Sequence, residues 1–346
     1  MINAKHREGG RSMKVGTLAI YDEDEAYANN LLEYISNKQG AVLDVIAFTN
    51  RDDLEKYCKD CHVDVLLISD RQMAEEITGW NIEKIILLNS GDIFSENEGY
   101  LSLYKYQSTD NIIREVLNYF VDINLDRNAT NLVNNRSRLI GVYSPYCSHI
   151  QSVWAFTLGR VLANEQKTLF ISLKEYSTLE KLLGETNDND ISDLVYFFRQ
   201  NPSIVPIKLQ AIKNSIDNMD YVMPMKYFED LENISKQQWI SFIDMLANID
   251  CYECIVVELG NKLKGALDIL EMCDRKYMPT EQGDFVWMEQ QIFEEYLLKT
   301  GREELIEKID TVEIPKDIEW EENFLDVQLW GKMGDKIRKL EGINSR

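Results

Sequence analysis

The stretch Leu139-Ile140-Gly141-Val142-Tyr143-Ser144-Pro145-Tyr146-Cys147-Ser148-His149-Ile150-Gln151-Ser152 decides how the chain is read. Its first five residues form an apolar run suited to a buried strand, and a helical pattern runs from Gln151 to about residue 164. Strand, loop, helix is the arrangement that cradles phosphates, because inward-turned backbone N–H groups and the start of the helix favour an anion. Downstream the alternation continues, with strand-like runs at 167–173, 221–225, 254–259, 276–279 and 311–314 and helical stretches such as 236–248 and 285–299. Near-continuous apolar strands separated by helices predict a parallel sheet covered on both faces.

Upstream, residues 14–121 repeat this rhythm on a smaller scale. Runs at 15–21, 43–49, 63–69, 84–89 and 101–104 alternate with helical segments such as 25–36 and 51–60. Five such strands suit a doubly wound, flavodoxin-like domain. The stretch 122–137, rich in Asn and Asp, reads as an interdomain linker. Residues 1–12, polar with a Gly-Gly pair, are expected to be a disordered extension, with Met13 a candidate start. The predicted domains are therefore 13–121 and 138–346, as a length of 346 residues, beyond one ordinary core, suggests.

The net charge of −22, from 59 acidic and 37 basic residues, repels nucleic acid and anionic lipid, so no nucleic-acid partner is expected. No apolar run approaches the roughly 18–20 residues that span a bilayer, and the opening residues lack a signal peptide's apolar stretch. A cytoplasmic protein is expected. Two CxxC pairs, Cys58/Cys61 beside His62 and Cys251/Cys254, have a spacing that suits zinc. They fall in different domains, with Cys58 on a helix-like stretch and Cys254 opening an apolar strand. They are read as reduced cysteines, and no metal is assigned.

Asp22 and Glu23 close the first run and Lys105 follows the fifth. Aspartyl phosphorylation needs an acidic pair to hold Mg²⁺, an acceptor Asp after the third strand and a Lys after the fifth. Over residues 14–121 the layout resembles the receiver domain of response regulators. Ser69 stands in the acceptor position and Asp70 one step later, a shift that on a strand turns the side chain to the opposite face. Asn89 or Ser90 takes the place of the usual Ser or Thr, and Tyr106 that of the usual Pro. Three readings stay open: an unphosphorylated pseudo-receiver used for docking, a working pocket with Asp70 as acceptor, and plain solvated charges.

Without gaps, residues 144–152 resemble the deviant Walker A motif of the MinD/ParA family, S-G-K-G-G-x-G-K-T. Ser144 matches, and Ser152 substitutes for the Thr that reaches Mg²⁺. Tyr146 replaces the signature lysine, Cys147, Ser148 and Ile150 replace glycines, and Gln151 replaces the phosphate-binding lysine. Losing both lysines removes the cations that neutralise charge during phosphoryl transfer. A β-branched Ile150 also resists the positive φ that glycine permits. After the second strand only Glu175 supplies an acidic residue, and the Walker B-like strand carries Glu258 in place of Asp. The resemblance implies a P-loop NTPase-like domain with a degenerate nucleotide site at Ser144, Gln151, Ser152 and Glu258. ATP with Mg²⁺ is the one candidate cofactor, none is required, and hydrolysis is not expected.

A receiver-like segment ahead of a MinD-like one resembles the TadZ/CpaE family of pilus-assembly proteins, as do residues 191–200 and 273–279. The resemblance implies protein partners, as a homodimer or docked to a pilus, secretion or signalling complex, at the inner face of the membrane or a cell pole. The expected function is a non-catalytic scaffold or regulator. The alternatives are an ATP-binding switch with an atypical loop and a response regulator phosphorylated on Asp70. Trp330, Met333, Ile337 and Leu340, in a locally basic stretch, fit either a membrane-surface helix or, as expected here, a closing helix packed on the sheet. Cys147 and His149 are alternate loop residues that rarely face one another, and neither they nor Trp154 are assigned catalysis.

Overall fold

A computed structural model describes residues 16–39, 43–77, 79–90, 100–124, 136–146, 149–184, 189–249, 251–314 and 323–343. They form two compact units, one within residues 1–130 together with Ser203–Ala211, the other within 131–202 and 212–346. The predicted extension at 1–12 lies outside the described residues.

The first unit runs β1 (Gly16–Tyr21), α1 (Glu25–Gln39), β2 (Leu43–Phe48), α2 (Arg51–Asp60), β3 (Val63–Ile68), α3 (Arg71–Glu76), β4 (Ile82–Asn89), β5 (Leu101–Tyr104) and α4 (Thr109–Asn124). Its sheet has the order β2-β1-β3-β4-β5, parallel throughout, which is the doubly wound order of flavodoxin-like domains. Central β1 and β3 are apolar on both faces, as a sheet covered by helices on each side requires: Leu18, Ala19, Ile20 and Val65 to Ile68 are all fully buried. Asn50 caps α2 by accepting from the Asp52 N–H at 2.8 Å.

Two boundaries differ from the sequence reading. Helix α4 extends to Asn124, into the segment read as linker, while Ser137 at its other end is buried. Ser137 donates its N–H to the Ala247 carbonyl and its Oγ to the Tyr252 carbonyl, each at 2.7 Å. Polar composition concealed this, because a serine whose groups are satisfied can sit inside. The first unit is also not one continuous segment, since Ser203–Ala211 clusters with it. Val205, Ile207, Leu209 and Ala211 there are all buried, and so are Lys208 and Gln210 between them.

The second unit runs β6 (Arg138–Tyr143), α5 (His149–Ala163), β7 (Thr168–Leu173), α6 (Leu179–Leu183) and α7 (Ile191–Gln200), after which α8 (Val205–Ile212) carries residues that cluster with the first unit. The hairpin β8 (Asn214–Ile216) and β9 (Met219–Val222) comes next, then α9 (Lys236–Ala247), β10 (Cys254–Leu259), α10 (Ala266–Met272) and β11 (Arg275–Thr280). It ends with α11 (Asp284–Lys299), α12 (Glu303–Lys308), β12 (Ile309–Glu313), α13 (Phe324–Trp330) and α14 (Lys332–Glu341). Its seven-stranded sheet has the order β12-β11-β6-β10-β7-β9-β8, parallel except for β8 against β9. The hairpin escapes sequence reading because β8 is three residues long and half polar, and its turn rests on Asp217 at φ 51°, which Asp tolerates.

Helix α5 is buried from Ile150 to Ala163 and lies in one core with Val256, Leu329, Met333 and Ile337. Met333 and Ile337 of α14 thus pack inward as the closing-helix expectation has it, with Leu340 against the same core. Trp330 departs from it: the residue is 67% exposed, with the Arg338 guanidinium 5.1 Å from its ring centroid. Among the described residues no helix is long and apolar enough to cross a membrane.

At the hairpin, Asp220 accepts from Lys213 Nζ at 2.7 Å, Ser215 Oγ at 2.6 Å and Tyr252 OH at 2.9 Å. Burial alone would push its carboxyl up, but the ammonium and the two hydroxyls hold it below the ordinary value of 3.8. A carboxyl depressed in the folded state contributes stability above 3.8 that is lost as pH falls through the folded value. Asp220→Asn is therefore expected to cost about 1–3 kcal/mol near neutral pH and to flatten the acid limb of the stability curve. Urea titrations at neutral and acid pH check both.

Candidate functional site

Register builds the site. In the parallel sheet Glu258 of β10 is paired with Val142 of β6 on one side and Ser172 of β7 on the other. Paired residues on neighbouring strands project to the same face, so Glu258 and Ser172 share one. Helix α5 brings Ser152 to them. The Glu258 side chain is fully buried, its Oε1 accepting from Ser152 Oγ at 2.6 Å and its Oε2 from Ser172 Oγ at 2.7 Å.

A cation completes the group. Lys174, just past β7, is 6% exposed, and its Nζ donates to Ser152 Oγ at 3.2 Å and stands 3.9 Å from Glu258 Oε1. Burial pushes the Glu258 carboxyl up, while the Lys174 ammonium and the two serine hydroxyls pull it back. Glu175 is nearly buried, and its Oε1 accepts from the Lys262 N–H at 3.3 Å.

Of the sequence-predicted nucleotide residues, Ser152 and Glu258 meet directly, whereas Ser144 and Gln151 do not join them. Gln151, where the resemblance places a phosphate-binding lysine, is 1% exposed and donates Nε2 to the Leu259 carbonyl at 2.8 Å. Ser144 is fully buried, and its Oγ has no hydrogen-bond partner among the described residues. The Tyr146 hydroxyl also lacks one among them and is pushed up to about 12, by burial first and then by Glu289 and Glu294 of α11. Asn261 Nδ2 ties the loop to the end of β10 through the Pro145 carbonyl at 2.8 Å.

One sequence argument does not carry over. Ile150 was expected to obstruct a positive φ, but α5 begins at His149, two residues earlier than the periodicity placed it, so Ile150 is helical and needs none. Cys147 and Ser148, and the His149 side chain, lie outside the described residues, and the Cys147/His149 pair with them. Lys174 and Ser172 carry no role in the sequence reading. The signal that marks Lys174 is a lysine directly after a mainly apolar strand whose partner strand carries a carboxylate, Glu258, next to its end.

The Mg²⁺ that the resemblance implies would need about six oxygens at roughly 2.0–2.1 Å, with the loop Ser/Thr and the Walker B carboxylate among them. Here those oxygens are bonded to one another, and an ammonium stands among them. A divalent ion placed beside it would meet repulsion in a dry site. The residues present do not fit the ion.

Gly260 sets how closely the strand ends approach. A Cβ there would lie 2.0 Å from Glu175 Oε2 and 2.9 Å from both the Leu173 carbonyl oxygen and Lys174 Cα. Side chains can swing away, but backbone cannot. Gly260→Ala is expected to destabilise the chain by about 1–3 kcal/mol in urea denaturation, and parental stability would show that β7 and β10 are not packed this tightly.

In the first unit Asp22 and Lys105, both buried, form an ion pair at 2.5 Å. The Lys105 ammonium lies 4.3 Å from the centre of the Tyr27 ring, whose hydroxyl donates to the Lys105 carbonyl at 3.0 Å. Glu23 is exposed. Asp70 does not join the pair: its carboxylate caps α3, accepting from the Met73 N–H at 3.0 Å. The structure thus brings together two of the four predicted pocket residues, because the one-step shift that separates Asp70 from the acceptor position puts it at a helix start.

Among the described residues no cysteine belongs to a group of three or more possible metal ligands. Burial pushes the Cys58 thiol up to about 11 and those of Cys254 and Cys273 up to about 12, away from the thiolate form that binds zinc. The two CxxC pairs belong to different units. One other group among the described residues has ligand-like composition: His62, Asp64 and Glu83, with His62 Nε2 3.7 Å from Asp64 Oδ1 and 3.4 Å from Glu83 Oε2.

No family model matches the chain, and no curated protein matches it. Among solved structures it is similar to a ParA family ATPase from Chlorobium tepidum TLS, 19% identical over 60% of this chain and 82% of that one, with a TM-score of 0.43. It is also similar to a plasmid partition protein from Borrelia burgdorferi bound to AMPPNP, 14% identical over 60% of this chain and 100% of that one, TM-score 0.41. A third is the ATP complex of a McdA variant from Cyanothece, 12% identical over 62% of this chain and 99% of that one, TM-score 0.43.

Proposed function

We propose that this chain is a non-catalytic scaffold or localisation factor of the TadZ/CpaE type, in which a pseudo-receiver precedes a phosphate-loop fold that no longer hydrolyses ATP. One observation carries the reading: apart from Ser144, the polar side chains that would face a nucleotide and its metal are engaged within the protein, Gln151 with the Leu259 carbonyl, Glu258 with Ser152 and Ser172, and Ser152 with the Lys174 ammonium. Catalysis of phosphoryl transfer is mostly positioned positive charge, and the loop itself offers none between Ser144 and Ser152 on any described side chain. The first unit supports the same view, since Ser69 occupies the acceptor position and Asp70 is engaged as a cap.

A scaffold also needs a surface. On α11 Phe285, Met288, Ile292 and Tyr296 are at least half exposed and recur at helical spacing, away from the face that buries Phe293 and Leu297. An apolar stripe of this kind suits a protein partner better than open water. The partner class, a pilus or secretion assembly at the membrane or a cell pole, is the one that the TadZ/CpaE resemblance implies.

Purified chain incubated with ATP and Mg²⁺ is expected to release no phosphate above a no-protein control. It is also expected to gain no phosphoryl adduct from acetyl phosphate by intact-mass measurement. Turnover abolished by Ser152→Ala would sink the non-catalytic reading. An adduct lost in Asp70→Asn would instead favour the response-regulator alternative.

A further inference from the structure

We infer that Lys174 is a built-in replacement for a divalent cation, its ammonium seated beside the hydrogen-bonded pair of Ser152 and Glu258 so that the second unit keeps one state whether or not metal is present. This rests on the non-catalytic reading and deepens it by naming what disconnects the fold from metal control.

The geometry is specific. Ser152 and Glu258 are the two side chains that the phosphate-loop arrangement offers to a metal, and the Lys174 Nζ is within reach of both, at 3.2 Å from Oγ and 3.9 Å from Oε1. Neither is a surface contact: the Lys174 side chain is 8% exposed and that of Glu258 not at all. A carboxylate so buried needs a counter-charge, and a tethered ammonium supplies one at every metal concentration. Register holds the parts in place, for Ser172, two residues before Lys174, is paired with Glu258 and bonded to its other oxygen. Removing the ammonium would leave one carboxylate and two hydroxyls facing a space lined with hard oxygen donors, which is what Mn²⁺ or Mg²⁺ accepts.

Mn²⁺ titration of the full chain, followed by its electron paramagnetic resonance signal, tests this without nucleotide. The parent is expected to show no saturable site that Glu258→Gln removes, and its melting temperature is expected to be the same with millimolar MgCl₂, MnCl₂ or chelator. Lys174→Ala is expected to acquire a Mn²⁺ site and a Mn²⁺-dependent rise in melting temperature, both lost again in Lys174→Ala/Glu258→Gln. A parent chain that takes up Mn²⁺ through Glu258 overturns the inference, and so does a folded Lys174→Ala chain indifferent to Mn²⁺. Should Lys174→Ala fail to fold, the parent titration alone decides. The outcome is separate from the ATPase measurement: a Mn²⁺ site in a chain without turnover sinks this inference and leaves the scaffold reading standing.

Discussion

Lys174→Met is expected to lower the stability of the chain by about 3–5 kcal/mol, because removing one partner of a buried ion pair leaves the other charge uncompensated. For a unit of this size that is a fall of roughly 10 °C in melting temperature. The loss should depend on pH in a defined direction. Burial already pushes the Glu258 carboxyl above 4.5, and without the ammonium that pulls it down it rises further. A carboxyl raised in the folded state contributes stability that is fully present below its unfolded value and lost as pH rises through the folded value. The variant should therefore lie closer to the parent at about pH 5 than at about pH 8. Lys174→Met/Glu258→Gln should recover much of the loss, and the double-mutant cycle measures the coupling. An unchanged melting temperature in the single variant would mean that the ammonium does not act on Glu258.

The second large effect is expected at Trp154, which the sequence places beside the loop. Its side chain is fully buried, with the ring 4.9 Å from that of Tyr277 at 59°. Trp154→Ala should cost about 3–5 kcal/mol, the range for emptying a large aromatic site in a core. Trp154→Phe should cost far less than the difference in size suggests. The Trp154 Nε1 has no hydrogen-bond partner among the described residues, and relieving a buried unpaired donor returns about 1–3 kcal/mol against the lost contact area. Urea denaturation of the two variants separates these terms. Parental stability in Trp154→Ala would return the residue to a surface role near the loop.

Strands β1, β3, β6, β7 and β10 were legible because each is a mainly apolar run, broken only by residues such as Asp64, Ser172 and Glu258, and a run mainly apolar on both faces has few places to go except the middle of a covered sheet. Strand β8 was not legible, since three half-polar residues carry no periodic signal and owe their conformation to β9. Asp70 shows where reading along the chain stops. A carboxylate at a strand end fits a phosphoacceptor and a helix cap equally well until the backbone is in place, and only then is it seen accepting from Met73. Trp330 is a similar case, three and seven residues from the core residues Met333 and Ile337 yet exposed.

Two doubly wound units, and the replacement of both loop lysines by Tyr146 and Gln151, were determined by the sequence alone, because apolar periodicity and residue identity are local properties. What Lys174 does was decided by tertiary structure. Its ammonium meets a serine 22 positions ahead of it in the chain, and that serine meets a carboxylate 106 positions further on. Nothing local distinguishes such a lysine from a solvated loop charge. Only the register of β7 on β10, with α5 laid across them, takes it out of water and gives it a counter-charge.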